Sequence, residues 1–377
     1  MRKIAIATLS TLLLAFGPAY ADIKVGVIVG STGPGASLGI PYKNTVAIMP
    51  DKINGEKVDY IVLDDATDAS NATKHARKLI NDDKVDLIMG STSVPAALAI
   101  AEVANEANVP HLSFSPLPPT ALKSPWVYAI PQPATIVMGA VLDHIKARGA
   151  KSIGYIGFND SWGDLVLAGF SSAAQASGIK LVSNERYARA DTSVVGQVLK
   201  TMAANPDAVV VGGSGTPGAL PHITLVERGY KGPIYHNTGV INRDFVRVGG
   251  KNVEGAIAPT GPVMVAEQLP DSNPIKKVAL EFTQKYEAKY GVGSRNAFAA
   301  YGYDAALIFA NAAPTALKSA KPGTKEFRKA LRDAIEQSKD VVGTHAVYSM
   351  SPTNHNGVDK RGVVLVRVQN GEWKIVD

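Results

Sequence analysis

Short apolar runs alternate with helix-length segments along this chain, in two successive series, and that alternation leaves few architectures open. Ile23 to Val29, Val58 to Leu63, Val85 to Met89 and Pro110 to Phe114 read as the strands of the first series. The second begins after Pro131-Gln132-Pro133, with a helix from Thr135 to Ala147 that places Val137, Val141 and Ile145 on one face. Strands follow at Ser152 to Phe158, Lys180 to Tyr187, Ala208 to Val211 and Pro233 to Tyr235. Alternation at this spacing gives right-handed βαβ units and parallel sheets. The expected class is therefore α/β, with two doubly wound parallel-sheet lobes. At 377 residues the chain is long enough for two cores of about 150 to 200 residues each.

The last third reads differently. Pro274 to Tyr290, Asn296 to Leu317 and Thr324 to Ser338 are helical in pattern, and strand-like Val341 to Tyr348 and Gly362 to Gln369 follow. If each lobe completes its own sheet and cover, the late helices return to the first lobe and the last strands to the second. Residues 22–134 with 262–345 then form lobe 1, and 135–261 with 346–377 form lobe 2. Three segments cross between them, near Pro131 to Pro133, Pro259 to Pro262 and Thr344 to Pro352.

Residues 1–21 carry Arg2 and Lys3, an apolar stretch from Ile4 to Phe16, and Ala19-Tyr20-Ala21, the pattern of a secretory signal cut after Ala21. No later stretch reaches the roughly 18 uninterrupted apolar residues of a membrane span. The expected product is soluble and exported. Losing Arg2 and Lys3 lowers the formal charge from +6 to +4. The bases are interspersed with acids instead of forming a stripe, which argues against nucleic acid as a partner. The absence of cysteine rules out disulfides, thiolate metal sites and a cysteine nucleophile.

The most informative stretch runs from Asp86 to Pro119. A buried strand stops at Gly90, the hydroxyls of Ser91, Thr92 and Ser93 follow, and Pro95 stands in the first turn of an Ala-rich helix. Proline is tolerated there because first-turn amides have no partner within the helix. Those free amides, the positive helix end and three short hydroxyls suit a carboxylate. The plainer reading is that one hydroxyl caps the helix and the others face water.

Other motifs are weaker. Gly213-Ser214-Gly215-Thr216-Pro217-Gly218 fits the dinucleotide GxGxxG pattern after a strand. The acidic residue expected about 20 positions later is missing, so a structural turn or a contact to another ligand fits better. Gly35-Ala36-Ser37-Leu38-Gly39 fits the GxSxG of serine hydrolases, but a loop with Gly33 and Pro34 stands where the sharp elbow belongs. The seven histidines show no metal-ligand spacing. What remains is a set of non-titrating groups at strand ends: Ser91 to Ser93, Ser115 to Leu117, Asp160 to Gly163 around Trp162, Gly213 to Thr216, and His236 to Gly239. Ligands of open α/β sheets bind at that edge. Such a set is suited to holding a molecule, with no catalytic residue, metal or cofactor assigned.

The chain resembles the periplasmic solute-binding proteins of the leucine/isoleucine/valine type, the receptors of ABC importers. The resemblance spans the mature chain. It rests on the Asp22 to Val29 strand, Thr32-Gly33-Pro34 with Gly39, Leu63-Asp64-Asp65 with Asp68, and the Gly90 to Pro95 turn. Ser115-Pro116, Trp162-Gly163, Gly212-Gly213, Glu254-Gly255 and Tyr303-Asp304-Ala305 complete it. It implies a type I periplasmic-binding-protein fold, a monomer whose two lobes close on a ligand about a three-segment hinge, and a membrane permease as partner. Carried over by position, the carboxylate grip falls on Ser91, Thr92 and Ser93 and on the segment from Ser115 to Leu117. The aromatic wall falls on Trp162 and Phe298, and Ser214 stands where amino-acid binders often place a tyrosine. Thr238 stands where they place the glutamate that meets the ligand's ammonium. Burying an ammonium without an anion costs several kcal/mol. The resemblance is therefore to the branch that takes up aromatic carboxylates, with Ser37, Thr216 and His236 as further candidate contacts. The alternatives are a branched-chain amino-acid binder and, more remotely, an exported serine hydrolase.

Overall fold

The computed structural model describes residues 22–376, so the signal sequence read over residues 1–21 lies outside the described residues. The first sheet contains β1 (Ile23–Val29), β2 (Lys52–Ile53), β3 (Glu56–Asp64), β4 (Leu87–Gly90), β5 (His111–Ser113) and β6 (Val127–Ala129), in the order β2-β3-β1-β4-β5-β6. All neighbours are parallel except β2, which pairs antiparallel with β3. Central strands read as continuous apolar runs because both faces are covered: all four residues of β4 are buried. The cover comes from α1 (Ala36–Thr45), α2 (Ala69–Asn81) and α3 (Val94–Ala107).

After α4 (Ala134–Ala147) the second sheet begins, with β7 (Ser152–Phe158), β8 (Lys180–Tyr187), β9 (Ala208–Gly212), β10 (Ile234–Tyr235) and β11 (Ile257–Thr260). Its helices are α5 (Ser161–Ser177), α6 (Val195–Ala203), α7 (Leu220–Glu227) and α8 (Arg243–Gly249). The chain then returns to the first sheet through α9 (Pro274–Tyr290), α10 (Ala297–Ser319) and α11 (Lys325–Glu336). Residues of α10 and α11 share one core with β1, β4 and β5. Alanine dominates α10, so it packs closely on several sides, and 15 of its residues are buried.

Four elements differ from the expected pattern. The strand β6 has only three residues, too few for a periodic signal. The strand β11 contains Pro259 and was expected as a crossing segment. Proline is tolerated there because β11 pairs with β10 at a single position, Tyr235 with Ile257, and otherwise leans on the late strand β14 (Val364–Gln369). The stretch 341–348 forms a separate hairpin of β12 (Val341–Val342) and β13 (Val347–Tyr348) instead of joining the second sheet. Ala346, Tyr348, Met350 and Val358 are buried in the first core, so this segment packs with lobe 1 beyond the boundary expected at residues 345 and 346. Finally β14 and β15 (Glu372–Ile375) add an antiparallel edge, giving the order β15-β14-β11-β10-β9-β7-β8. The result is an α/β chain with two lobes, each built on a mainly parallel sheet.

Candidate functional site

A narrow cleft lies between the lobes. The first lobe lines it with Leu38 and Tyr42 of α1, Thr92 and Ser93 after β4, and Phe114 to Pro116 after β5. Phe298 and Tyr301 of α10 complete that wall. Trp162, Arg189, Ser214, Thr238 and Gly239 face them from the second lobe, and Pro131 lies at a crossing. Apart from Pro131 and the residues of α1 and α10, these follow the carboxyl ends of β4, β5, β7, β8, β9 and β10, where an open α/β sheet leaves its crevice.

The hydroxyl turn divides by direction. The Ser91 hydroxyl points behind the cleft and donates to Asp65 Oδ2, while its carbonyl accepts from Ser115 Oγ at 3.0 Å. Burial raises the Asp65 carboxyl above its ordinary range, against the hydrogen bonds from Ser91 and the Thr67 amide. Thr92 Oγ1 accepts from the Gly30 amide at 3.1 Å, which leaves its proton available. Ser93 occupies the N-cap position of α3, yet its side chain makes no capping bond. Its hydroxyl is buried without a partner, in a residue only 5% exposed that lines the cleft. A simple capping role is thereby excluded for Ser93. Its oxygen and the first-turn amides of α3 form a place for an acceptor group.

The walls are aromatic. Tyr42 stacks on Phe114 with centroids 4.3 Å apart and is fixed by a 2.7 Å bond from its hydroxyl to the Phe114 carbonyl. Phe298 tilts against Tyr42 at 6.1 Å. Tyr301 stacks on His345 and donates to Gln132. Opposite, Trp162 is 5% exposed and its indole N–H reaches the Gly213 carbonyl at 3.4 Å.

The charged residue in the lining is Arg189, in the loop after β8. Its Nε donates to Asp160 Oδ2 at 2.5 Å, its Nη1 to Ser214 Oγ at 3.1 Å, and its guanidinium lies 4.3 Å over the Phe158 ring. The other oxygen of Asp160 accepts from the amides of Trp162 at 2.9 Å and Gly163 at 3.2 Å. Asp160 is therefore occupied on both oxygens, and no carboxylate side chain is among the described residues lining the cleft.

Thr92, Ser93, Ser115, Trp162, Ser214, Thr238 and Phe298 thus meet around one space. Five other candidates do not line it. Ser91 is turned to Asp65, as above. Leu117 packs beneath α3 with Ala97, Ala101, Val127 and Ala129, and Pro116 takes its place at the cleft. His236 is fully buried, its Nε2 at 2.8 Å from His222 Nδ1. Thr216 opens the 3-10 turn Thr216–Ala219, outside the lining. Ser37 lies on α1 with a buried hydroxyl that has no hydrogen-bond partner, so no base stands against it. Arg189, Tyr42, Phe114 and Tyr301 are among the lining residues that sequence reasoning missed, with Leu38, Val94 and Pro131. Arg189 directly follows a strand correctly placed at Lys180 to Tyr187, and the strand-end rule extended by two residues reaches it.

Two lobes on mainly parallel sheets, with a polar and aromatic cleft at their facing edges, are the architecture of a ligand-binding receptor. The chain belongs to the periplasmic binding protein family, whose sequence profile matches residues 22–372. It is 46% identical to an extracellular ligand-binding receptor from Rhodopseudomonas palustris HaA2, over 95% of this chain and 100% of that one, with a TM-score of 0.92. The Leu/Ile/Val-binding protein homolog 3 of Brucella melitensis is 26% identical over 251 residues, 63% of this chain and 67% of that protein. The substrate-binding protein LivJ of Streptococcus pneumoniae, solved with isoleucine, has a TM-score of 0.78 at 19% identity, over 94% of this chain and 98% of that one, a likeness of fold alone.

Proposed function

We infer that the protein captures a small aromatic carboxylate between its lobes and delivers it to the membrane permease of an ABC importer. It would do so as a freely diffusing periplasmic monomer, after removal of residues 1–21. The observation that carries this reading is the charge pattern of the cleft: an unpartnered Ser93 hydroxyl at the start of α3, and no acid among the described residues of the lining, with Asp160 behind it occupied by Arg189. An acceptor is supplied with donors there, and an α-ammonium is supplied with no anion. Aromatic walls add roughly 0.5 to 1.5 kcal/mol of stacking beyond area burial, whereas an unpaired ammonium loses several kcal/mol on desolvation. The names of the curated relatives favour branched-chain amino acids, and the same experiment decides that alternative. Isothermal titration with benzoate, 4-hydroxybenzoate, leucine, isoleucine and valine should give binding with the aromatic acids and little with the zwitterions. Sub-micromolar leucine binding with silent aromatics overturns the reading.

A further inference from the structure

Two polar poles face each other across the cleft. One is the Thr92 and Ser93 turn with the first amides of α3 on the first lobe; the other is Arg189 with Ser214 and Thr238 on the second. We propose that Arg189 is a specificity-determining residue that reads a second oxygen of the ligand, on the ring end remote from the carboxylate held by the first lobe. This rests on the aromatic-carboxylate reading above and names the subclass: ring acids bearing a hydroxyl or a second carboxylate at the far end.

The guanidinium is fixed before any ligand arrives. Asp160 holds Nε, Ser214 accepts from Nη1, and the Phe158 ring lies beneath the plane. Arg189 side-chain exposure is only 16%. Of its five N–H donors, two are engaged by these partners, which leaves three, among them both on Nη2, on a side chain that lines the cleft. Arginine has no acceptor, so what it meets must be an acceptor oxygen. The Thr238 hydroxyl, which makes no hydrogen bond among the described residues, can in turn accept a phenolic proton. A bare phenyl ring would bury these donors without replacing their water. Leaving such groups unsatisfied is what makes a polar subsite discriminating. Asp160 positions the guanidinium and, through the Trp162 and Gly163 amides, the aromatic wall beside it.

Titration calorimetry on the full chain with benzoate, 4-hydroxybenzoate and benzene-1,4-dicarboxylate tests this. The two substituted acids should bind at least about tenfold more tightly than benzoate, the value of one hydrogen bond to a charged donor. In Arg189→Gln that ratio should fall to within about twofold. Arg189→Lys keeps a cation beside Asp160 but loses the planar fork, so the ratio should fall there as well without leaving Asp160 unpaired. Circular dichroism establishes that both variants fold. If benzoate binds the parent as tightly as the substituted acids, or the ratio survives both substitutions, the role of Arg189 is wrong while the carboxylate reading stands. If none of the three acids binds, the carboxylate reading fails and this inference fails with it.

Discussion

At the scale of single residues, three neighbouring hydroxyls have three different fates. Residue type announced the cluster, but the direction of each side chain depends on partners far along the chain, Asp65 for Ser91 and Gly30 for Thr92. Those partners are invisible in the local pattern, as is the Asp160 contact that fixes Arg189. The distinction yields a paired prediction. Ser93→Ala removes a donor with no other partner, so the Kd for an aromatic carboxylate should rise roughly tenfold or more while the unfolding temperature barely changes. Ser91→Ala takes a donor from the buried Asp65, which should cost about 1 to 3 kcal/mol and lower the unfolding temperature by several degrees. Calorimetry and thermal unfolding on both variants check the pair. Equal effects on affinity would refute the division of the turn.

At the scale of elements, the long buried strands were legible because their burial pattern is their sequence pattern: β1 and β7 match the expected bounds, as does the more exposed edge strand β8. Pieces built on tertiary pairing were not legible. The short β6 and the proline-containing β11 have no periodicity of their own and exist because a neighbour offers a ladder. Helix α1 shows how such a dependence reaches the site. It carries Leu38 and Tyr42 into the cleft, and a Cβ on Gly39 would fall on the Gly30 carbonyl at the end of β1. Both partners are backbone, so relief requires the helix to move. Gly39→Ala should therefore cost about 1 to 3 kcal/mol of stability and also weaken aromatic-acid binding, since Tyr42 moves with its helix. Unfolding curves with unchanged midpoint and unchanged affinity would show that the close approach is not a constraint.

At the scale of the whole molecule, the two series announced two lobes, but not how they meet. Val94 of α3 packs among second-lobe side chains, and Gly215 of the second lobe lies against Ser37 and Leu38 of the first, contacts that no local pattern encodes. Burial at this scale also sets a pH dependence. Four of the five buried histidines, His111, His222, His236 and His345, bear on it. Burial disfavours their charged form, lowering His111 and His222 to about 4 and His345 to about 3. His236 is lowered as well, with His222 adding to the effect of burial. An unfolded chain binds these protons near pH 6.5, so between about pH 4 and 6.5 the unfolded state holds more protons than the folded one. Stability supplied by the neutral rings is complete above pH 6.5 and is lost as the pH falls, by up to about 1.4 kcal/mol per pH unit for each ring. Buried Asp304, raised to about 6 by burial, and Asp65 and Asp86, raised for the same reason, act in the opposite sense, since they favour the folded state at low pH. Each carboxyl can release at most one proton on unfolding, so four rings outweigh three carboxyls and unfolding still takes up protons between pH 5 and 6.5. The unfolding temperature should therefore fall steadily from pH 7 to pH 5, with net proton uptake on unfolding. Differential scanning calorimetry across that range measures it, and a midpoint that stays level or rises on acidification would contradict the burial of these rings as neutral groups.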